Sequence, residues 1–319
     1  MGLVFSGKRS AKMTDLLQIG GITERMRERL SSVFNIQQLD DFNAEGITHI
    51  VTNGHDGVPH DLMISLSNLK MISVYGVGYD AVDANAAAER GIVVTHTPNV
   101  LNKEVATTAV LLLLSCYREL IRDDDYVRSG RWEVEGNAPL TRSADNQKIG
   151  ILGLGRIGQA IVDKLEPWAP EISYHTRNQK DVPYRYFDNL VEMAEHVNVL
   201  ICITPGGPST NRLVNAEVLR ALGAGGTLIN VSRGSVVDET ALITALQNGE
   251  LGWAGLDVFE DEPRVPKALR ELSNVVLLPH AGSATFETRA AMGDLTVDNL
   301  LQHHKDGSVI TAVPECRDL

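Results

Sequence analysis

Short apolar runs alternate with longer amphipathic runs along nearly the whole chain. The β-branched, apolar stretches predict strands at Thr48–Val51, Met71–Tyr75, Ile92–Thr95, Ile149–Leu152, Val197–Ile203, Thr227–Val231 and Val275–Leu278. A similar periodicity begins at Leu16-Leu17-Gln18-Ile19. Apolar residues at helical spacing predict helices over Asn102–Leu120, Gly158–Leu165, Asn215–Leu222, Glu239–Gln247 and Ala284–His304. Such alternation points to an α/β chain whose parallel sheets are covered by helices. No internal repeat or low-complexity tract interrupts it.

One strand-to-helix junction carries more information than the rest. Lys148-Ile149-Gly150-Ile151-Leu152 runs directly into Gly153-Leu154-Gly155-Arg156-Ile157-Gly158, a G-x-G-x-x-G turn. In a dinucleotide-binding unit the first glycine permits the tight turn. The second lets a pyrophosphate approach the backbone, and the third lets the new helix pack on the strand. The helix N-terminus then offers N–H groups and its positive dipole end to the phosphates. An isolated G-x-G-x-x-G is weak evidence. Here an apolar strand precedes it, Ile157, Ala160, Ile161 and Leu165 mark an amphipathic helix after it, and a second strand follows near Glu171–Tyr174. That context reads as a Rossmann-type cofactor domain.

The end of that second strand speaks to the cofactor. A site for NAD places Asp or Glu there, where it accepts hydrogen bonds from the ribose 2′-OH and repels a 2′-phosphate. This chain reads His175-Thr176-Arg177-Asn178, without an acid. Arg177 can make charge-assisted hydrogen bonds to a phosphate and Thr176 can add a hydroxyl. These residues predict NADP(H) in preference to NAD(H).

The turn lies well inside a chain of 319 residues, with separate α/β sequence ahead of it. A proline follows a predicted strand at Thr97-Pro98-Asn99, and the helical stretch beyond Thr285 has no strand ahead of it to cover. We therefore expect two Rossmann-like domains with parallel sheets and an active site in the cleft between them. Residues 1–98 plus 287–319 would form a discontinuous substrate domain, and 99–286 the NADP-binding domain. The hydrophobic fraction of 43% suffices for two cores, and the formal net charge of −12 argues against nucleic acid or an anionic membrane as the main partner. Cys116, Cys202 and Cys316 are odd in number and far apart, which suits reduced thiols in a cytoplasmic protein rather than a disulfide or metal framework. No secretory signal is evident, and the longest apolar stretch, Val105–Tyr117, is too short to span a bilayer. Residues 1–12 have the character of a leader, a fusion remnant or an upstream start.

Four segments supply residue types suited to hydride-transfer chemistry. His280, in Leu278-Pro279-His280-Ala281-Gly282-Ser283, follows a strand and can give a proton to a carbonyl oxygen as hydride reaches the carbon. A carboxylate of Asp257-Val258-Phe259-Glu260-Asp261-Glu262-Pro263 could orient that imidazole and favour its protonated form. Arg233, in Asn230-Val231-Ser232-Arg233-Gly234, can pair with a substrate carboxylate and polarise the adjacent carbonyl. The small residues of Tyr75-Gly76-Val77-Gly78-Tyr79-Asp80 can present backbone N–H groups to a carboxylate, as a nest does. Each residue alone is more often structural or solvated. The case rests on their joint position at strand ends.

Together these segments resemble the D-isomer-specific 2-hydroxyacid dehydrogenases over nearly the whole chain. The similarity is strongest to the branch of NADPH-dependent glyoxylate/hydroxypyruvate and hydroxyphenylpyruvate reductases, whose Tyr-x-Ser/Thr-Arg pattern Tyr174-His175-Thr176-Arg177 resembles. The resemblance implies His280 as proton donor, Glu262 as its carboxylate partner and Arg233 as substrate anchor. It implies that Val77 and Gly78 donate backbone N–H groups to the substrate carboxylate. Asp257 would bind the nicotinamide carboxamide, while Glu260 and Asp261 would be exposed neighbours. Cofactor contacts would come from Gly153, Leu154, Gly155, Arg156, Ile157 and Gly158, from Thr176, Arg177 and Asn178, and from Thr204, Val231, Ser232, Asp257 and Gly282. Trp132 resembles a residue whose loop reaches the partner's active site in the family's homodimers. One departure is Pro205-Gly206-Gly207-Pro208, where relatives often carry Leu-Thr after the proline.

The activity so implied is stereospecific reduction of a small 2-oxo acid, glyoxylate or hydroxypyruvate, to a D-2-hydroxy acid by NADPH. Larger acids of the phenylpyruvate type are an alternative, since Gly54, Gly57 and Gly76 could leave room. A cofactor-sensing binding protein of the corepressor type is a second alternative. The end of the chain at Leu319, without an interaction tail or added domain, would argue against it and against the regulatory domain of some phosphoglycerate dehydrogenases, and Arg177 suits NADPH-linked reduction better than NADH sensing. An NAD-linked dehydrogenase working oxidatively is a third.

Overall fold

The structure, a computed structural model, describes residues 13–319, so the expectation for residues 1–12 lies outside the described residues. The chain divides into two compact units. One joins the chain up to Pro98 with Arg289–Leu319, and the other is Asn99–Thr288.

In the first unit, strands β1 (Thr14–Gln18), β2 (Phe34–Gln38), β3 (Ile47–Asn53), β4 (Met71–Tyr75) and β5 (Val93–Thr95) form a sheet in the order β2-β1-β3-β4-β5. Every pairing is parallel. All five residues of β4 are buried, as a central strand covered on both faces requires. β2 lies at the edge and keeps polar residues there. Helices α1 (Glu24–Ser31), α2 (His60–Ser65) and α3 (Ala84–Glu89) connect the strands, and the Thr23 and Asp83 side chains cap α1 and α3 by accepting the N–H groups of Met26 and Ala86. The core includes Leu17, Ile50, Met63, Ile72 and Val94.

The second unit carries α4 (Asn102–Tyr117), α5 (Leu120–Arg128), α6 (Arg131–Glu135), β6 (Lys148–Leu152), α7 (Arg156–Leu165), β7 (Glu171–His175), β8 (Arg185–Tyr186) and α8 (Leu190–His196). There follow β9 (Val199–Cys202), α9 (Ala216–Leu222), β10 (Thr227–Asn230), α10 (Glu239–Gln247), β11 (Trp253–Leu256), α11 (Lys267–Arg270) and β12 (Val275–Leu277). The sheet order is β12-β11-β10-β9-β6-β7-β8, again all parallel. Strand order reverses between β6 and β9, the switch point at which doubly wound sheets bind ligands beyond their carboxyl ends. The expected parallel α/β architecture is present in both units.

α12 (Phe286–Asp306) begins in the second unit and continues into the first. There the Ser73 hydroxyl donates to the Thr296 carbonyl at 3.1 Å, and Met292, Val297 and Leu300 are buried. Arg25 and Arg29 pair with Asp294, and Arg29 also with Asp298. The remaining segment folds back on β5. Thr95 bridges Ala312 in antiparallel fashion, and the Val313 N–H donates to the Val94 carbonyl at 2.9 Å.

Most predicted elements shift by one or a few residues at their ends, and two of the differences fall at turns. The helix expected through Leu120 stops at Tyr117 because Glu119 takes a left-handed conformation (φ 45°), after which α5 begins. The turn after β6 enters its helix at Arg156 rather than Gly158. Among the described residues no helix is long and apolar enough to cross a membrane, and the three cysteines are free and buried.

Candidate active site

In the second unit the candidate residues follow six strands of one parallel sheet. They therefore line a single edge, at the carboxyl ends of β6, β7, β9, β10, β11 and β12. After β6, the three glycines meet three different demands. Gly153 has φ +101°, and a Cβ there would lie 2.8 Å from the Ile203 carbonyl oxygen and from the Thr204 nitrogen. Glycine at 153 thus brings the β6 and β9 loops together and places Thr204 beside the turn. A Cβ on Gly158 would come within 2.5 Å of the Gly153 carbonyl oxygen, so the third glycine seats α7 against the turn. Around Gly155, by contrast, a Cβ would meet nothing within 4 Å. This is the open approach that a pyrophosphate needs. Gly155 also caps α7 without a side-chain hydrogen bond, so the helix N-terminus is unblocked. The residues present fit a dinucleotide. Arg156 turns aside, its guanidinium donating to Asn99 Oδ1 at 2.8 Å, while Leu154 is buried.

After β7, two tyrosines wind the loop. The Tyr186 hydroxyl donates to the Thr176 carbonyl, the Lys180 N–H donates to the Tyr174 hydroxyl, and the Thr176 hydroxyl donates to the Asn178 carbonyl at 2.7 Å. Arg177 and Asn178 are exposed. The Arg177 guanidinium has no hydrogen-bond or ion-pair partner among the described residues.

His280 has φ +51°, an uncommon backbone state outside glycine. Asp257 explains how it is held. The His280 N–H donates to the Asp257 carbonyl at 2.8 Å, and the N–H groups of Ala281 and Gly282 donate to its two carboxylate oxygens at 2.6 and 2.8 Å. Three successive backbone donors thus wrap one buried residue. Burial pushes the Asp257 carboxyl up from its ordinary range, while the amides of Ala281 and Gly282 and the His280 imidazole act in the opposite sense. Gly282 has no room for a side chain, since a Cβ would lie 2.9 Å from Asp257 Oδ2.

The His280 ring is fixed from the other side. Its Nδ1 lies 2.7 Å from Glu262 Oε2, and Glu262 Oε1 accepts the Phe259 N–H at 3.0 Å. A carboxylate only accepts, so Nδ1 carries a proton and Nε2 is left for a substrate. Of the four acids in the β11 loop, Glu262 therefore takes the orienting position. Glu260 pairs with Arg212 and Asp261 with Arg264, both at 2.7 Å and both on the exposed side.

Arg233 stands beside this pair of loops. Asn230 Nδ2 donates to the Arg233 carbonyl, while Asn230 Oδ1 accepts the N–H and hydroxyl of Ser232 at 3.0 and 2.7 Å. The next residue, Gly234, lies flat on the β11 loop, because a Cβ there would be 1.9 Å from the Phe259 carbonyl carbon. Val231 and Ser232 are buried at the strand end. Sequence reasoning named neither Asn230 nor Gly234 as site-building residues. Their only signal was their place around Arg233.

In the first unit, β4 ends at Tyr75 and the chain turns through Gly76–Asp80. The Thr97 N–H donates to the Gly76 carbonyl at 2.8 Å, and His96 Nδ1 lies 2.9 Å from the Val77 carbonyl. The N–H groups of Val77 and Gly78 have no acceptor among the described residues, which suits them to an anion.

Against known proteins, residues 110–282 match the model of the D-isomer specific 2-hydroxyacid dehydrogenase NAD binding domain. The glyoxylate/hydroxypyruvate reductase A HPR2 of Arabidopsis thaliana is 45% identical over 84% of this chain and 85% of its own length. The hydroxyphenylpyruvate reductase of Plectranthus scutellarioides is 44% identical over 85% and 86%. Among solved structures, the NADPH-dependent glyoxylate/hydroxypyruvate reductase of Sinorhizobium meliloti, in complex with NADP and malonate, superposes with a TM-score of 0.90 at 47% identity, covering 95% of this chain and 97% of that one. A glycine turn open above Gly155 and an imidazole gripped by a carboxylate on the same sheet edge are thus accompanied by similarity along most of the chain, and the protein belongs to the D-isomer specific 2-hydroxyacid dehydrogenases.

Proposed function

We propose that this dehydrogenase reduces small 2-oxo acids, glyoxylate and hydroxypyruvate, to D-2-hydroxy acids with NADPH. The observation that carries the reading is the His280–Glu262 pair at 2.7 Å, on the same strand-end row as the dinucleotide turn. The names of the Arabidopsis and Sinorhizobium relatives support the substrate class and, for the latter, the cofactor.

When bound, the reduced nicotinamide supplies hydride to the carbonyl carbon. His280 Nε2–H donates the proton to the carbonyl oxygen, and Glu262 stabilises the imidazolium while keeping the ring aimed. Arg233 pairs with the substrate carboxylate and polarises the carbonyl. Val77 and Gly78 give that carboxylate two backbone N–H groups. Asp257, with lone pairs beyond those taken by Ala281 and Gly282, receives the carboxamide and holds the histidine loop. Gly153–Gly158 and Thr204 cradle the pyrophosphate. Val231, Ser232 and Gly282 border the nicotinamide side, and Thr176, Arg177 and Asn178 take the 2′-phosphate. The test is nicotinamide absorbance with glyoxylate and hydroxypyruvate, each against NADPH and NADH. NADPH-preferring turnover supports the reading. His280→Ala should reduce kcat by about 10²–10⁴-fold and spare NADPH binding. Wild-type turnover in a folded His280→Ala protein would refute the assignment.

The Plectranthus relative favours one further possibility, reduction of aromatic 2-oxo acids. Comparison of kcat/KM for hydroxyphenylpyruvate and hydroxypyruvate decides between them. The same proposal includes a homodimer in the cytoplasm. Exposed apolar side chains at Leu120, Ile121, Val127, Trp132, Val134 and Leu140 support association, and three free buried thiols suit a reducing compartment.

A further inference from the structure

The Val77–Gly78 loop owes its shape to a residue that the mechanism does not use. A trans peptide unit points its C=O and its N–H in opposite directions, and the Gly76–Val77 and Val77–Gly78 bonds are both trans. Whatever holds the Gly76 carbonyl therefore aims the Val77 N–H, and whatever holds the Val77 carbonyl aims the Gly78 N–H. The two carbonyls are held by adjacent residues just past β5. The Thr97 N–H takes the Gly76 carbonyl at 2.8 Å, and His96 Nδ1 takes the Val77 carbonyl at 2.9 Å. A carbonyl has no hydrogen to give, so His96 must be the donor through Nδ1–H.

The ring that donates is itself fixed. His96 is 9% exposed, and its backbone N–H and C=O are both engaged by Thr311. Tyr79 meets the imidazole edge-on, with centroids 5.4 Å apart, and donates its hydroxyl to the Glu315 carboxylate at 3.1 Å. Burial and that carboxylate push the Tyr79 hydroxyl up to about 12, so it remains a donor. A line of contacts thus runs from Glu315 through Tyr79 and His96 to the Val77–Gly78 peptide.

We propose that His96 is a positioning residue for substrate, its Nδ1–H locking the Val77–Gly78 peptide plane so that the Gly78 N–H faces the carboxylate of the 2-oxo acid. This rests on the reading of that loop as the carboxylate seat. Donation to the Val77 carbonyl also polarises the same peptide and strengthens its N–H as a donor.

The test uses the full-length enzyme. His96→Phe keeps a flat ring against Tyr79 but has no donor, whereas His96→Asn restores one. KM for glyoxylate should rise about fivefold to tenfold in His96→Phe, the size of one lost neutral hydrogen bond, with kcat and the NADPH dissociation constant little changed. His96→Asn should recover much of the loss. A folded His96→Phe with wild-type KM would overturn the proposal. Independently of whether that variant folds, imidazole nitrogen shifts of the wild type must report the Nδ1–H tautomer, and the Nε2–H tautomer would overturn it too. To separate the underlying reading, oxamate is added to the NADPH-bound, glycine-labelled wild type. If the Gly78 amide resonance does not move, the loop is not the carboxylate seat. If it moves while His96→Phe keeps its KM, only the role of His96 falls.

Discussion

Gly234 concentrates several demands in one missing side chain. It lets the strand end that carries Arg233 lie against the loop that carries Glu262, where a methyl group would sit 1.9 Å from the Phe259 carbonyl carbon and oxygen. Backbone cannot yield as a flexible side chain can, so Gly234→Ala should cost about 2–4 kcal/mol, seen as a lower denaturation midpoint, and should weaken substrate use more than NADPH binding. An alanine variant with wild-type midpoint and KM would show that the two loops can part without consequence. Arg177 presents the opposite situation, a cation with no partner among the described residues. Arg177→Ala should lower the kcat/KM ratio of NADPH to NADH by about 10–100-fold, in keeping with loss of a charge-assisted phosphate contact, and leave thermal stability unchanged. An unchanged ratio would remove Arg177 from the cofactor proposal. His280 and Arg233 stood out because residue type and strand-end position coincide in the sequence, whereas Glu262 was separated from its acidic neighbours only by the family resemblance. Asn230 and Gly234 did not stand out, because what they do depends on a neighbouring strand brought alongside only by folding.

At the scale of elements, a histidine cluster joins β3 to α12. His49 Nε2 lies 3.0 Å from His303 Nδ1, its Nδ1 lies 2.8 Å from the Thr48 hydroxyl, and Phe34 packs against both His49 and His304. Burial, then the charges of His303, His304 and Lys70, push His49 down to about 3, and His303 is lowered for similar reasons. The folded protein therefore holds His49 neutral. Its contribution to stability is complete above the unfolded value of about 6.5 and is lost as pH falls from there toward 3, at up to about 1.4 kcal/mol per pH unit. Urea midpoints should decline below about pH 6.5, and His49→Gln should flatten that decline, leaving the shallower part due to His303. Parallel profiles for the two proteins would exclude His49 as the acid-sensitive group. Legibility varied among the elements for physical reasons. β4 and α10 match their predicted limits because burial and periodicity agree in them. β2 escaped notice because an edge strand tolerates polar residues, and β8 because two residues carry no period. β11, Trp-Ala-Gly-Leu, has little strand propensity, yet Gly255 is required where a Cβ would lie 2.9 Å from Ile229 and 3.0 Å from Leu112.

For the whole molecule, the exposed apolar surface of α5, α6 and the segment after them is what supports the homodimer proposal. Val134 is 85% and Leu140 97% exposed, and Trp132 lies between α5 and Val134 in the chain. Light scattering should give twice the chain mass, and Val134→Lys should shift the population toward monomer at micromolar concentration. A monomeric wild type would end the homodimer proposal.

The first unit is assembled from two separated stretches of chain, with the whole of Asn99–Thr288 between them. That arrangement sets an order of events during synthesis. The five strands emerge from the ribosome early, but α12, which supplies Thr296 above β4 and His303 beside β3, follows about 190 residues later. At ordinary translation speeds the wait is roughly 10–40 s. Throughout it the apolar face of a finished sheet lies open, while the contiguous cofactor unit can close as soon as its own residues are out. The first unit therefore cannot be completed until the chain has passed through the whole of the second.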